Sequence, residues 1–344
     1  MAGSGTAHLR EDALLRVQDL VVEFPSAGGR TLHAVSGVSF DVQEGETLGI
    51  VGESGCGKST TGWAVMQLRR PTSGSVVFEG QELTSLRGQD LRRVRPRLQM
   101  IFQDPVSSLN PRRRVGDIVV EALRIWRRGN ADGRAEKVRE VLAAVGLDPD
   151  TAVSRRRHQF SGGQCQRISI ARALVLDPKL VICDEPVSAL DVSVQAQILN
   201  LLEDMKARYR LTLVFIAHDL AVVKNISDRV MVMYLGKVCE VGPAEAVYAR
   251  PAHHYTTALL SAIPVADPDH ERRPVPLVEG QLPSPIAPPS GCRFRTRCPA
   301  ARSRCSEEEP QVREVYPGHF TACHYPPIDA GTGTAVPQPA GEQG

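Results

Sequence analysis

The sequence predicts an α/β fold built on a largely parallel sheet, and three observations carry that expectation. Over the first three-quarters of the 344 residues, short apolar runs of strand length alternate with amphipathic stretches of helical period. One of those runs leads straight into a glycine-rich loop that opens a helix. After Ile263 the alternation stops and prolines take over.

Taken in order, residues 1–12 read as a flexible start, and the folded core spans 13–263. Leu48–Val51, Leu98–Phe102, Leu180–Cys183, Thr212–Ala217 and Val230–Met233 have the apolar density of buried strands. Ile168–Leu176 and Val194–Ala207 have the period of helices between them. Pro264, Pro268, Pro274, Pro276, Pro283, Pro285, Pro288 and Pro289 make 264–290 an extended, semi-rigid linker. A small irregular lobe over 291–327 holds Cys292, Cys298, Cys305 and Cys323, half of the eight cysteines. The Gly/Pro/Ala/Gln-rich tail, 328–344, reads as disordered.

Lys+Arg 41 against Asp+Glu 39 leaves a net charge of +2, without the basic field that a nucleic-acid partner requires. No apolar run approaches the length of a spanning helix. Glu11 and Asp12 ahead of Leu14 are not the basic-then-apolar layout of a secretory signal. A cytoplasmic protein is expected, peripheral if it works at a membrane. Reduced thiols in that compartment disfavour a disulfide framework, so a cysteine cluster reads first as metal-binding.

Gly52-Glu53-Ser54-Gly55-Cys56-Gly57-Lys58-Ser59-Thr60 fits G-x-x-x-x-G-K-[ST]. Its glycines let backbone N–H groups curl around phosphate oxygens at a helix N-terminus. Lys58 reaches β- and γ-phosphates, and the Ser59 hydroxyl suits Mg²⁺. Far downstream, Leu180–Cys183 ends in Asp184 and Glu185; the first suits the metal's hydration shell, the second an attacking water. Between these pieces, Phe160-Ser161-Gly162-Gly163-Gln164 precedes a helix. Ser161 is a natural N-cap, and the glycines expose backbone donors, which makes a second anion site.

This last segment resembles the signature motif of ATP-binding-cassette (ABC) ATPases, with Phe160 in place of the usual leucine. Ser188-Ala189-Leu190-Asp191 resembles the family's D-loop, Ile216-Ala217-His218-Asp219 its switch-histidine segment, and Phe102-Gln103-Asp104 its glutamine loop. The resemblance implies a P-loop NTPase with a mixed sheet core and a helical subdomain, using ATP and Mg²⁺. It implies that Gln103 sits near the metal and the water, beside Ser59 and Asp184. His218 would contact the γ-phosphate, with Glu185 as base and Lys58 on the phosphates. Ser161, Gly162, Gly163 and Gln164 would face ATP bound to a partner subunit, and Asp191 would organise the dimer seam. Phe24 and His33 compete for the place where the family stacks an aromatic on adenine.

Phe102–Arg112 and Asp184–Gln195 resemble the corresponding stretches of oligopeptide and dipeptide importer ATPases, and Glu279-Gly280 through Cys323-His324-Tyr325-Pro326 resembles their C-terminal extension. That implies an ATP-hydrolysing subunit, peripheral on the cytoplasmic side of the cell membrane. Its partners would be a second, distinct cassette subunit, two membrane permease subunits and an extracytoplasmic solute-binding protein. Importers of nickel chelates, glutathione or another small solute share this machinery, and a soluble regulatory ABC ATPase is the alternative of a different class. The arginine runs 112–114 and 155–157 read as solvated faces or partner contacts, and His253-His254 as a solvated loop pair.

Cys292, Cys298, Cys305 and Cys323 follow C-x₅-C-x₆-C-x₁₇-C, neither a zinc-ribbon nor a compact ferredoxin spacing. Neighbouring arginines are expected to lower the thiol pKa values. The importers' extension carries this layout, resembling a [4Fe–4S] site in some members; structural Zn²⁺ and free or oxidised thiols are the alternatives. A structural or docking role outside hydrolysis is expected of this lobe.

Overall fold

A computed structural model describes residues 5–263 and 281–328. Residues 1–4, most of the expected linker (264–280) and the tail from 329 lie outside the described residues. The strands are β1 (Leu15–Pro25), β2 (Thr31–Val42), β3 (Thr47–Val51), β4 (Ser73–Phe78), β5 (Gln81–Glu82), β6 (Leu98–Ile101), β7 (Leu180–Asp184), β8 (Thr212–Ala217), β9 (Arg229–Tyr234), β10 (Lys237–Pro243), β11 (Arg313–Tyr316) and β12 (His319–Thr321). The helices are α1 (Lys58–Val65), α2 (Gly88–Val94), α3 (Val115–Ile125), α4 (Ala131–Ala144), α5 (Pro149–Ala152), α6 (Gly162–Leu174), α7 (Val192–Tyr209), α8 (Leu220–Lys224), α9 (Ala244–Ala249), α10 (His254–Ser261) and α11 (Arg304–Glu307).

Two sheets result. One is antiparallel, in the order β2-β1-β4-β5; the other runs β11-β12-β10-β9-β3-β8-β7-β6. Strands β9, β3, β8, β7 and β6 pair in parallel, and apart from half-buried Gln99 on β6 their residues are buried on both faces. The period of two sorts each strand between two cores. Val181, Cys183, Leu213 and Phe215 face the side covered by α3, α4, α6 and α7. Leu180, Ile182, Val214 and Ile216 face α1 and the antiparallel sheet. Helices α3 to α6 form the helical subdomain, with Val115, Ile118, Val119 and Leu123 of α3 as its apolar stripe.

Several boundaries differ from the sequence reading. Strand β6 stops at Ile101, because Phe102 is exposed. Helix α6 begins at Gly162, six residues before the periodic pattern, because Ser161 and Gln164 form a capping box. The N-terminal stretch is anchored before Ala13: His8 is buried, its Nε2 is 2.8 Å from Ser39 O, and its ring is 5.9 Å from that of Phe320.

The C-terminal region is attached to the main sheet. The hairpin β11–β12 pairs with β10 through Glu240–Thr321 and Val241–Phe320 and covers an edge that would otherwise stand open. Buried Glu240 accepts from Ala252 N (2.8 Å), His253 N (2.9 Å) and His319 Nε2 (2.6 Å), tying the hairpin to the turn before α10. His253 is correspondingly no solvated loop residue. It is fully buried, its Nδ1 accepts from Tyr255 N at 3.0 Å, and burial pulls its pKa down to about 3.

Candidate functional site

Strand β3 delivers the chain into a tight loop at Gly52, where a Cβ would lie 2.1 Å from Met233 O. At Gly57, with φ +100°, a Cβ would lie 2.3 Å from Ala34 O. Only glycine fits either place. Lys58 opens α1 and is 4% exposed; its Nζ donates to Gly52 O (2.7 Å) and Glu53 O (3.1 Å). Cys56 packs beneath, its Sγ 3.9 Å from that ammonium, and burial pushes its thiol pKa up.

The next residue of α1, Ser59, donates to Asp184 Oδ1 at 2.7 Å. Burial at the end of β7 raises the Asp184 pKa, and the Ser59 hydroxyl partly offsets that. A hydroxyl and a carboxylate oxygen side by side beside a phosphate cradle are the hard donors that Mg²⁺ takes, so these residues fit the ion.

Glu185 follows with φ +45°, a left-handed conformation unusual for a non-glycine residue. Its N–H donates to Ile216 O (2.9 Å) and so ties the end of β7 to β8. Its Oε2 receives Gln103 Nε2 at 3.0 Å and lies 3.4 Å from His218 Nδ1. Loops leaving three neighbouring parallel strands, β6, β7 and β8, thus converge on one carboxylate. A cleft of about 1020 Å³ opens there, lined by Phe24, Leu32, Ala34, Ser54, Gly55, Gly57, Lys58, Ser59, Thr60, Gln103, Asp104, Glu185, Ser188, Ala189, His218 and Pro285.

Of the two aromatic candidates, Phe24 stands in the cleft wall, with the Arg69 guanidinium 4.5 Å over its ring. His33 does not; its Nδ1 lies 2.8 Å from Glu23 Oε1. Ser161, Gly162, Gly163 and Gln164 also lie outside this wall, at the solvent-facing start of α6. Gly163 is required by packing, since a Cβ there would lie 2.6 Å from Val194 Cγ1 on α7. Asp191 caps α7, its Oδ1 accepting from Val194 N (3.0 Å) and from Ser193 Oγ (2.7 Å). The second arginine run is not a plain solvated face: Arg155 lies 4.6 Å over the Phe160 ring, and Arg157 donates to Val106 O.

Among the contributors that escaped the sequence reading, besides Leu32 and Ala34 of the cleft wall, three stand out. Tyr255 Oη accepts from Glu53 N at 2.8 Å, Arg297 grips the Glu53 carboxylate, and Pro285 of the expected linker joins the cleft wall. Tyr255 and Arg297 lie 202 and 244 residues from Glu53, so no local pattern signals them.

The expectation of a metal at the cysteines finds no support in the structure. Cys292, Cys298, Cys305 and Cys323 do line one cavity, but its volume is about 10 Å³, room for a single water. Among the described residues no group of three or more His, Cys, Asp or Glu side chains is arranged to hold a metal. Burial raises the thiol pKa of Cys298, that of Cys292 to about 11 and that of Cys323 to about 12. The arginines that were expected to lower these values serve other partners. Arg293 donates to Leu235 O, Arg295 to Ser290 O, Arg297 to Glu53 and Arg304 to Glu308, while Arg302 lies over the Tyr325 ring.

A phosphate loop, a hydroxyl–carboxylate pair and a strand-end glutamate held by a glutamine and a histidine define an ATP-hydrolysing cassette. The comparisons with known proteins agree. Residues 35–188 match the family model described as ABC transporter, and 239–305 the one described as oligopeptide/dipeptide transporter, C-terminal region. The oligopeptide transport ATP-binding protein OppF of Salmonella typhimurium is 53% identical over 321 residues, covering 90% of this chain and 95% of that protein. OppF of Escherichia coli is also 53% identical, over 320 residues with the same coverage. Among solved structures, the dimeric ATP-binding cassette MJ0796, in a post-hydrolysis state bound to ADP and Pi, superposes with a TM-score of 0.61 at 27% identity, covering 67% of this chain and 98% of that one. The chain belongs to the ABC transporter family and is an ATPase of that family. Among the described residues no helix is long and apolar enough to cross a membrane.

Proposed function

We propose that this chain is the ATP-hydrolysing subunit of an importer of short peptides, peripheral on the cytoplasmic face of the membrane. The observation that carries the chemistry is the convergence of Gln103 and His218 on the Glu185 carboxylate, beside Lys58 and the Ser59–Asp184 pair. The C-terminal match and the relatives named above support the choice of solute. The cassette, 13–263, would carry hydrolysis and the extension, 291–327, would brace it.

Loop N–H groups and Lys58 receive the phosphates, the ammonium exchanging its two loop carbonyls for β- and γ-oxygens. Ser59 and Asp184, with Gln103 near them, would hold Mg²⁺, whose charge offsets that of the phosphate oxygens. Gln103 and His218 keep Glu185 aimed at a water. Glu185 takes that water's proton as its oxygen bonds to the γ-phosphorus and the bond to the ADP oxygen breaks. Phe24 offers its ring to adenine.

Ser161, Gly162, Gly163 and Gln164 stand outside their own cleft, which supports a role at the nucleotide of a second cassette subunit, with Asp191 at the seam between them. Two permease subunits and an extracytoplasmic binding protein complete the machine.

The test is reconstitution of the chain with a second cassette subunit, permeases and a binding protein in proteoliposomes. ATP-dependent uptake of di- to pentapeptides is expected. Uptake of a nickel chelate or glutathione with none of peptides would overturn the solute assignment.

A further inference from the structure

The C-terminal extension reaches the phosphate loop itself. Glu53, second residue of that loop, is held at three points. Its N–H donates to Tyr255 Oη (2.8 Å), its carbonyl accepts from Lys58 Nζ (3.1 Å), and both carboxylate oxygens accept from Arg297 Nη1 (2.9 and 3.0 Å). The Arg297 side chain is 11% exposed and that of Glu53 29%, so the pair is far less solvated than an ordinary surface bridge.

Arg297 is aimed by its own segment. Successive turns run from Cys292 to Cys298, with Arg295 N donating to Cys292 O (3.1 Å) and Arg297 N to Phe294 O (2.9 Å). Phe294 is buried with its centroid 5.3 Å from those of both Tyr234 and Tyr255. The Arg297 guanidinium lies 5.8 Å over the Tyr234 ring. Cys292 and Cys298 bracket the segment and face the common thiol cavity. Any drift of this segment moves the Arg297 guanidinium, then Glu53, and with it the backbone of the phosphate loop.

We infer that Arg297 is a positioning residue for nucleotide binding, holding the phosphate loop in shape through Glu53, so that nucleotide affinity depends on the four-cysteine extension. This rests on the proposed role of the loop in binding ATP, and it gives the structural role expected of the extension a specific point of action. Geometry favours it over simple surface pairing, because the contact lands on the residue whose carbonyl and amide shape the cradle.

The experiment is equilibrium titration of the full chain with a fluorescent ADP analogue and Mg²⁺, alongside thermal melting in the same buffer. Arg297→Ala and Glu53→Gln should each raise Kd by about three- to tenfold, as expected if the competent loop falls to between a third and a tenth of the population. The double variant should be no worse than either single one, because both break one contact. Arg297→Lys should recover part of the affinity. A folded Arg297→Ala chain with wild-type Kd, whatever its melting temperature, overturns the inference, as does full additivity in the double variant. Should Arg297→Ala fail to fold, an unaltered Kd in Glu53→Gln overturns it equally. A wild-type chain that binds no nucleotide overturns the functional reading, and this inference with it.

Discussion

Replacing Lys58 with Ala removes the cation at the centre of the phosphate cradle. In this structure Lys58 is 4% exposed, and its ammonium donates to Gly52 O and Glu53 O. A hydrogen bond to a charged group is worth about 1.5–3 kcal/mol net. With phosphate oxygens in place of those carbonyls, losing it should raise the nucleotide Kd about ten- to a hundredfold, at 1.4 kcal/mol per decade. The same substitution leaves two loop carbonyls without their donor, so stability should also drop, by about 1–3 kcal/mol. Isothermal titration with MgADP, paired with urea unfolding, separates the two effects. The loss of affinity should persist at temperatures far below the melting transition. Equal Kd in the wild type and the variant would refute the placement of Lys58 on the phosphates.

Gly163→Ala should cost about 1–3 kcal/mol in urea unfolding, because the new methyl would lie 2.6 Å from Val194 Cγ1; adding Val194→Ala should return most of it, and an unchanged Gly163→Ala midpoint would contradict the packing. Stability should also fall with acid. His253 has a folded pKa of about 3 against 6.5 unfolded, so the unfolded chain binds the extra proton below pH 6.5. Its contribution is complete above pH 6.5 and is lost as pH falls toward 3, about 2 kcal/mol being gone by pH 5. Buried His8, whose pKa is also lowered, acts with the same sign. Unfolding midpoints at pH 7 and pH 5 check this, and an equal or higher midpoint at pH 5 would refute it.

The parts legible in the sequence are those whose chemistry is contiguous. The loop Gly52–Thr60 and the strand ending in Asp184-Glu185 announce themselves because turn glycines, a strand and the candidate site's side chains share one short segment. Gln103 and His218 were named through the resemblance to ABC ATPases, and the apolar strands they follow explain why they meet at one edge of the sheet. Tyr255, Arg297 and Pro285 were not, because each meets the site through tertiary contact alone. His253 was misjudged because polarity suggests solvent, whereas its neutral ring serves as a buried acceptor at the start of α10. The arginines around the cysteines suggested a field on the thiols, and folding spends them on carbonyls, carboxylates and a ring instead. Nor does an irregular, proline-flanked segment advertise that its last hairpin completes the main sheet.

The central chemical claim concerns the Glu185 carboxylate, and single-turnover hydrolysis by a Glu185→Gln chain assembled with its partner subunits measures it most directly. Glutamine keeps the size and the contacts to Gln103 and His218 but cannot take a proton. MgATP affinity should stay at the wild-type value and the ATP-bound dimer should accumulate, while the hydrolysis rate falls about 10²- to 10⁴-fold, as for loss of a general base. A Glu185→Gln assembly that hydrolyses ATP within a few-fold of the wild-type rate would contradict the assignment.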